Sequence, residues 1–141
     1  YNPSTKEYFY AEENKGAFCN KTKIKVNSKR KSEFCSLAVS NSEINILKSY
    51  NFFNSNNVKR IGSIAYKIAL VAKGEIDIAI SLTKKNDWDL AAADLIIREA
   101  HGTIMDTNGK KIIYNTQDLK INSIMAANSS IISDLKKKFN S

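Results

Sequence analysis

Residues 62–81 read GSIAYKIALVAKGEIDIAIS, and this stretch decides the class of fold. Gly62-Ser63 opens a predicted helix in which apolar side chains recur on one face. Gly74 ends that helix, as a glycine just past the last helical residue commonly does. The apolar residues 76–81 follow at once and predict a buried strand. A helix that leads directly into a buried strand is typical of an α/β layer structure.

The segments on either side continue this alternation of strands and helices. Capping residues and apolar periodicity mark the helices, and short apolar runs between turns mark the strands. The pattern predicts a mixed, largely parallel sheet flanked by helices. Strands are predicted at residues 36–39, 58–61, 103–105 and 124–126, helices at 41–50, 87–100 and 130–139, and loops at 54–57 and 83–87.

The first thirty residues follow a different pattern. Short extended segments rich in aromatic or alternating residues are separated by turns, which predicts a short antiparallel hairpin or meander. We therefore divide the chain into a β-hairpin or meander over residues 1–30 and an α/β domain over residues 31–141.

Composition limits the classes of function. The chain has 141 residues, of which 43% are hydrophobic, and a net charge of +8. Its longest apolar runs are too short to cross a membrane. The lysines are scattered and only three arginines occur, which favours solvated lysines over a nucleic-acid partner. Cys19 and Cys35 fit neither a disulfide framework nor a zinc motif, which predicts reduced thiols in a cytoplasmic protein.

Two junctions between a strand and a helix carry candidate chemistry, because ligands in such sheets bind beyond the strand ends. Gly62-Ser63 offers backbone N–H groups to an anionic or hydroxylated ligand, although the same pair is also a common helix cap. The second junction reads NDWDLAAADLIIREAHG over residues 86–102. The helix dipole stabilises acids at the start of a helix, and the small alanines leave room beside these acids. An acid there can also hold magnesium, which prefers carboxylate and phosphate oxygens.

These motifs resemble, in order and in spacing, the signatures of the inositol monophosphatase family. WDLAAA and EAHG are similar to its Trp-Asp-x-Ala-Ala-Gly and Glu-Ala-Gly-Gly motifs. Residues 62–65 and 70–77 resemble its Gly-Ser-x-Ala and Leu-Val-Ala-x-Gly-x-x-Asp motifs. Residues 1–3 and 16–18 resemble its Tyr-x-Pro and Gly-Ala-Phe hairpin. The WDLAAA and EAHG segments are residues 88–93 and 99–102.

The resemblance implies a magnesium-dependent phosphatase for the intact protein, with this chain as the C-terminal half of the layered fold. Family members hydrolyse phosphate monoesters with Mg²⁺ ions that polarise the phosphate and activate a water. Asp89 matches the metal-ligating aspartate of the family. Gly62, Ser63 and Ala65 match the segment that contacts the substrate. The implied substrate is a small phosphorylated metabolite, either inositol monophosphate or a 3'(2'),5'-bisphosphonucleotide.

The segment SLTKK, which begins at Ser81, departs from the inositol phosphatases. Those enzymes carry here a glutamate that binds a sugar hydroxyl, whereas Lys84 and Lys85 suit a second phosphate. We therefore add Ser81 and Lys84 to the predicted substrate-binding residues. Bisphosphate nucleotidases of the family carry a lysine four residues after the glycine of their Gly-Ser-Ser motif. This chain has Tyr66 there and Lys67 one place later, so both substrates stay open.

Several residues near these motifs are predicted to be structural. Trp88 is predicted to be a core anchor at the helix start, and Asp87 is predicted to cap the helix. His101 suits the left-handed end of the helix. Asp94 and Glu99 are predicted to be surface or packing acids and not metal ligands.

The alternative to a phosphatase is a non-catalytic α/β binding module that uses its basic surface for nucleic acid or a protein partner. The family's Asp-Pro-x-Asp-Gly-Thr metal motif and an upstream glutamate do not occur in this chain. The resemblance places both in a missing N-terminal half, which is then a partner beside the phosphorylated substrate. A homodimer is also compatible with the sequence. An upstream half that carries the metal motif would decide for the enzyme.

We predict that this chain alone has no metal-dependent phosphatase activity. Asp89 is one ligand of a site that needs several oxygen ligands to hold Mg²⁺. The test is incubation of the purified chain with inositol monophosphate or adenosine 3',5'-bisphosphate and Mg²⁺. Phosphate release above that of a heat-killed control, abolished by a chelator, would contradict the prediction.

Overall fold

The computed structural model describes residues 1–28, 31–50 and 57–140. The predicted domain boundary at residue 30 and most of the loop predicted at 54–57 lie outside these residues. Three antiparallel strands come first, in the order β1 (Phe9–Glu12), β2 (Gly16–Cys19) and β3 (Thr22–Ile24). The later elements are β4 (Leu37–Val39), α1 (Ile44–Lys48), β5 (Val58–Arg60), α2 (Ile64–Ala72), β6 (Ile78–Ser81), β7 (Lys85–Asn86), α3 (Asp87–Glu99), β8 (Thr103–Met105), β9 (Lys120–Ile121), β10 (Ile124–Ala127) and α4 (Ser129–Phe139).

The main sheet has five strands in the order β5-β4-β6-β10-β8. β4 pairs in parallel with β5 and β6, whereas β10 pairs in antiparallel with β6 and β8. The predicted mixed α/β sheet with flanking helices is therefore confirmed, with half of its pairings parallel. β7 lies in the segment predicted to be a polar loop and pairs in antiparallel with β9. Within the described residues, no helix is long and apolar enough to cross a membrane.

A row of alanines crosses the centre of the main sheet on one face. Ala38 pairs with Ala79, Ala79 pairs with Ala126, and all three are completely buried. Ile68 of α2 and Leu90 of α3 belong to the same buried cluster. Because methyl side chains are small, α2 can approach this part of the sheet closely, and α3 packs beside α2.

The opposite face of the sheet carries the longer side chains, because successive residues in a strand point to opposite faces. α1 and α4 cover this face and close a second buried cluster. Its members include Leu37, Val39, Leu47, Ile78, Ile80, Met125, Ile131 and Leu135. The layers therefore run from α1 and α4, through the main sheet, to α2 and α3, and then to the three-stranded sheet.

Carboxylates join the three-stranded sheet to the helix layer. Glu99 accepts hydrogen bonds from the backbone N–H groups of Asn14 (3.0 Å), in the turn between β1 and β2, and Gly16 (2.8 Å), the first residue of β2. Glu7, which is only 8% exposed, accepts from Tyr66 Oη (2.7 Å) and Lys73 Nζ (2.6 Å) of α2 and just beyond it. Both acids thus hold the three-stranded sheet in place against the layer of α2 and α3.

The ends of the helices show which local predictions were correct. His101 ends α3 with φ of 64°, the predicted left-handed conformation. Asn128 caps α4, since its Oδ1 accepts from the Ile131 N–H at 2.9 Å. The helix predicted at 41–50 is shorter, with a 3₁₀ turn at Asn41–Glu43 and only α1 after it.

The prediction that Trp88 anchors the core is wrong, because 69% of the residue is exposed. Leu90 takes the core position at the start of α3 and is completely buried. A separation of two residues in an α-helix corresponds to a rotation of about 200°, so Trp88 lies on the side of α3 opposite to Leu90. Ala91 and Ala92 lie three and four residues further on, beside Trp88, and are also exposed.

We predict that Trp88→Ala barely changes the stability of this chain. The indole is mostly in water, so its removal should change the free energy of unfolding by less than about 0.5 kcal/mol. Leu90→Ala is the matched core variant and should cost about 2 to 5 kcal/mol through lost burial and a cavity. Chemical denaturation measures both. A Trp88→Ala loss as large as that of Leu90→Ala would contradict the exposed position.

We also predict an acid-sensitive contact at Glu7. Burial acts to raise its pKa, but hydrogen bonds from Lys73, Thr5 and Tyr66 outweigh burial and lower the pKa from 4.5 to about 2. A lowered pKa in the folded state means that the stabilisation is complete above pH 4.5 and is lost as the pH falls towards about 2. The free energy of unfolding should fall by about 3 kcal/mol from this group across that range.

Glu7→Gln should remove this part of the pH dependence, as measured by denaturation at several pH values. The matched control is Glu75→Gln, since Glu75 also pairs with Lys73 (2.5 Å) but is half exposed. If Glu7→Gln leaves the pH profile of wild type unchanged, Glu7 is not the contact that acid breaks.

Candidate functional site

The carboxyl ends of three strands meet at one edge of the main sheet. β4, β5 and β6 run parallel as neighbours, so the segments that follow them emerge side by side. Glu43 follows β4, Gly62 and Ser63 follow β5, and Ser81 is the last residue of β6, with Lys84 just beyond it. The predicted residues Gly62, Ser63, Ser81 and Lys84 thus share one edge of the sheet.

The backbone at Gly62 and Ser63 is open to a ligand. Both residues are exposed, and a Cβ placed on Gly62 would meet nothing within 4 Å. Ser63 adopts φ of 60° and ψ of 115°, a strained conformation for a residue with a side chain. Its Oγ caps α2 by accepting from the Tyr66 N–H at 3.3 Å. The first N–H groups of α2 have no partner within the helix and suit an anion.

A cleft of about 500 Å³ lies in front of this helix start. Gly62, Ser63 and Ala65 line one side, and Ala92 and Ala93 of α3 line the other. The structure therefore brings three of the predicted substrate residues together with the thin early turns of α3. The rest of the lining comes from Tyr1, Asn2, Pro3, Phe9, Tyr66, Ala69 and Ile96.

Asp89 lies in the first turn of α3, where it forms a capping box with Asn86. Its Oδ2 accepts from the backbone N–H (3.3 Å) and side-chain Nδ2 (3.2 Å) of Asn86. The predicted capping role of Asp87 is wrong, because Asn86 is the cap residue. Asp87 is buried instead, and its carboxylate accepts from the Asn115 N–H at 2.6 Å.

The residues present fit one position of a metal site. Asp89 is half-buried, and its Oδ1 accepts no hydrogen bond from any residue in the described part of the chain. This oxygen is a suitable ligand for a hard cation. Among residues 1–28, 31–50 and 57–140, no three His, Cys, Asp or Glu side chains come together as a metal site. The described chain thus supplies one carboxylate and not a complete ligand set.

The two remaining predicted residues, Ser81 at the end of β6 and Lys84 beyond it, differ in exposure. Ser81 is completely buried, and its Oγ donates to Glu43 Oε1 at 2.7 Å. Lys84 is exposed and has no hydrogen-bond or ion-pair partner among the described residues. Lys85 is held in place, since its Nζ donates to the carbonyl oxygen (3.2 Å) and the Oγ1 (2.6 Å) of Thr83. Of Ser81, Lys84 and Lys85, it is therefore Lys84 that is available to a ligand.

Glu43 and Lys67 form a buried ion pair that sequence reasoning missed. Neither side chain is exposed, and Lys67 Nζ lies 3.7 Å from Glu43 Oε2. Burial acts to raise the pKa of Glu43, but hydrogen bonds from Ser81, Thr83 and Leu82, and the charge of Lys67, lower it to about 2. Burial lowers the pKa of Lys67, which Glu43 opposes. Lys67 lies three residues after Ile64, on the apolar face of α2. This position in the sequence pattern could have indicated that Lys67 is buried.

Comparisons with known proteins identify the family of the chain. The sequence model of the inositol monophosphatase family matches residues 1–139. The chain is 32% identical over 112 residues to a fructose-1,6-bisphosphatase/inositol-1-monophosphatase of Thermotoga maritima, covering 77% of this chain and 43% of that protein. It is 36% identical over 62 residues to the 3'(2'),5'-bisphosphate nucleotidase CysQ of Haemophilus influenzae, covering 44% of this chain and 23% of that protein.

A solved structure is similar over the whole chain. The extragenic suppressor protein suhB from Bartonella henselae superposes with a TM-score of 0.80 at 30% identity, covering 100% of this chain and 57% of that one. The chain thus spans about half the length of this structure and of the Thermotoga relative. Because the family model, the relatives and the fold agree, we conclude that the chain belongs to the inositol monophosphatase family of phosphatases.

Proposed function

We propose that the intact protein is a magnesium-dependent phosphomonoesterase and that this chain supplies its C-terminal part. The observation that carries the proposal is the cleft between the start of α2 and the early turns of α3. The open backbone at Gly62, Ser63 and Ala65 faces this cleft and offers N–H groups to a phosphorylated substrate. Asp89, at the start of α3, offers a carboxylate oxygen to the cation.

Asp89 can hold a cation without giving up its structural bonds. Oδ2 stays in the capping box with Asn86, which orients the carboxylate and leaves Oδ1 for Mg²⁺. When bound, Mg²⁺ would supply polarisation of the phosphate and activation of a water. The chain's own part is to bind and orient the phosphate at the start of α2. Ser81 contributes indirectly, because its hydroxyl is bonded to Glu43.

The remaining metal ligands require a second partner beside the substrate, the N-terminal half of the family fold. The exposed strip of Trp88, Ala91 and Ala92 at the start of α3 supports this partner. A large apolar side chain in water next to a candidate metal ligand is a surface that association would bury. The reduced, buried thiols of Cys19 and Cys35 support a reducing compartment such as the cytoplasm.

We further propose that the intact protein prefers a 3'(2'),5'-bisphosphonucleotide to inositol monophosphate. The exposed ammonium of Lys84 is near the strand end that faces the ligand edge and can attract a second phosphate. Because it lies in water, this attraction is screened by salt and the preference should be modest. The CysQ relative, by its name, acts on the bisphosphate class.

The test is Asp89→Asn in the intact protein. Loss of the negative charge should lower kcat by about 100-fold or more, because the cation stabilises the transition state by several kcal/mol. Asparagine keeps the shape, so the free energy of unfolding should change by at most about 1 kcal/mol. Kinetics with Mg²⁺ are measured on both substrates, together with a thermal melt.

Asp118→Asn is the matched control, since Asp118 is an exposed acid outside the site and should leave kcat unchanged. Activity of Asp89→Asn within a fewfold of wild type would show that Asp89 is not a metal ligand. A clear preference of wild type for inositol monophosphate would reject the proposed substrate order.

A further inference from the structure

We propose that Glu43 and Lys67 form a positioning pair, which holds the segment from Ser81 to Lys85 in place at the ligand edge of the sheet. The inference rests on the proposed function for its consequence in catalysis. The geometry of the pair itself is independent of that function. Neither residue belongs to the motifs from which the family was recognised.

The carboxylate of Glu43 is the point to which the segment is fixed. Glu43 Oε1 accepts from the backbone N–H groups of Leu82 (2.9 Å) and Thr83 (3.0 Å). It also accepts from the hydroxyls of Ser81 (2.7 Å) and Thr83 (2.7 Å). Two consecutive N–H groups and two hydroxyls that converge on one oxygen form an anion-binding nest, and Glu43 fills it. Hydrogen bonds to a charged acceptor are stronger than neutral ones.

Lys67 fixes the position of Glu43. Its Nζ donates to Ser40 Oγ (2.9 Å) and to the Ile80 carbonyl (3.3 Å), and faces the second carboxylate oxygen of Glu43. That oxygen, Oε2, is buried and accepts no hydrogen bond from the described residues. The pair therefore connects the end of β4, the first turns of α2 and the end of β6 within one network.

Stability alone does not account for this pair. Two charges lose their hydration on burial, and apolar side chains of similar volume are often as stabilising as a buried ion pair. What apolar side chains cannot do is hold two backbone N–H groups of an irregular segment in one place. The segment leads directly into β7 and the capping box of Asp89, so its position affects both Lys84 and the start of α3.

The first measurement uses this chain and needs no activity. Glu43→Gln should raise the amide hydrogen-exchange rates of Leu82 and Thr83 by about tenfold or more, because a charge-assisted acceptor is lost. Exchange at Ile78 and Ala79 within β6 should rise no more than global unfolding predicts. Glu33→Gln is the matched control, since Glu33 is an exposed acid that pairs with Lys138 elsewhere. Unchanged exchange at both amides would overturn the proposal.

The second measurement separates positioning from mere stability in the intact protein. The double variant Glu43→Gln/Lys67→Met removes both buried charges and should recover much of the melting temperature lost in Glu43→Gln. Its KM should nevertheless stay raised by about tenfold or more, since the segment is no longer fixed. A purely structural pair would lower only the active fraction, and hence the apparent kcat, at constant KM. If the double variant recovers its melting temperature and also has the KM of wild type, the positioning role is overturned.

Glu43→Asp covers the case in which Glu43→Gln does not fold. It keeps the charge but shortens the reach, so the two amides should exchange faster and KM should rise while the chain stays folded. Wild-type exchange and KM in Glu43→Asp would contradict the proposal. If the intact wild type hydrolyses neither substrate, the proposed function fails, and amide exchange still decides the role of Glu43.

Discussion

The close approach of α2 to the alanine row of the main sheet, with α3 packed against α2, is the constraint on which the rest of the structure depends. Ala38, Ala79 and Ala126 present only methyl groups on this face of the sheet. Bulkier residues there would push α2 outward and change its position beside α3. With alanine, the start of α2 and the early turns of α3 face each other across one cleft. The position of the candidate site is thus a consequence of core packing.

The same edge of the sheet combines buried and accessible polar groups. Glu43 and Lys67 lie completely inside the protein, whereas Asp89 is half-buried and Lys84 and Ser63 are exposed. Buried groups that cannot move and accessible groups that can bind are therefore adjacent. Sites that hold ligands accurately are commonly built this way, with inner polar contacts that fix the residues next to the ligand.

Local patterns predicted the elements with strong periodicity, and long-range contacts account for most of what these patterns did not predict. The α2–β6 unit and the end of α3 at His101 follow from apolar spacing and cap chemistry within a few residues. The pairing of β7 with β9 joins segments about 35 residues apart, which no local pattern reveals. Trp88 is a local exception, because Leu90 sets the phase of α3 and this phase puts the indole in water. Glu43 was missed because all the groups that hold it come from residues 67–85.

The contacts of Glu99 with the turn between β1 and β2 also have a consequence for the order of folding during synthesis. The two bonds span 85 and 83 residues of sequence, so the first three strands are synthesised long before Glu99. At a typical rate of translation, the ribosome needs about 4 to 17 s to add the residues between them. During that interval the strands carry their apolar face without the helix layer that covers it. A nascent chain of this protein is therefore most exposed to chaperones before α3 emerges.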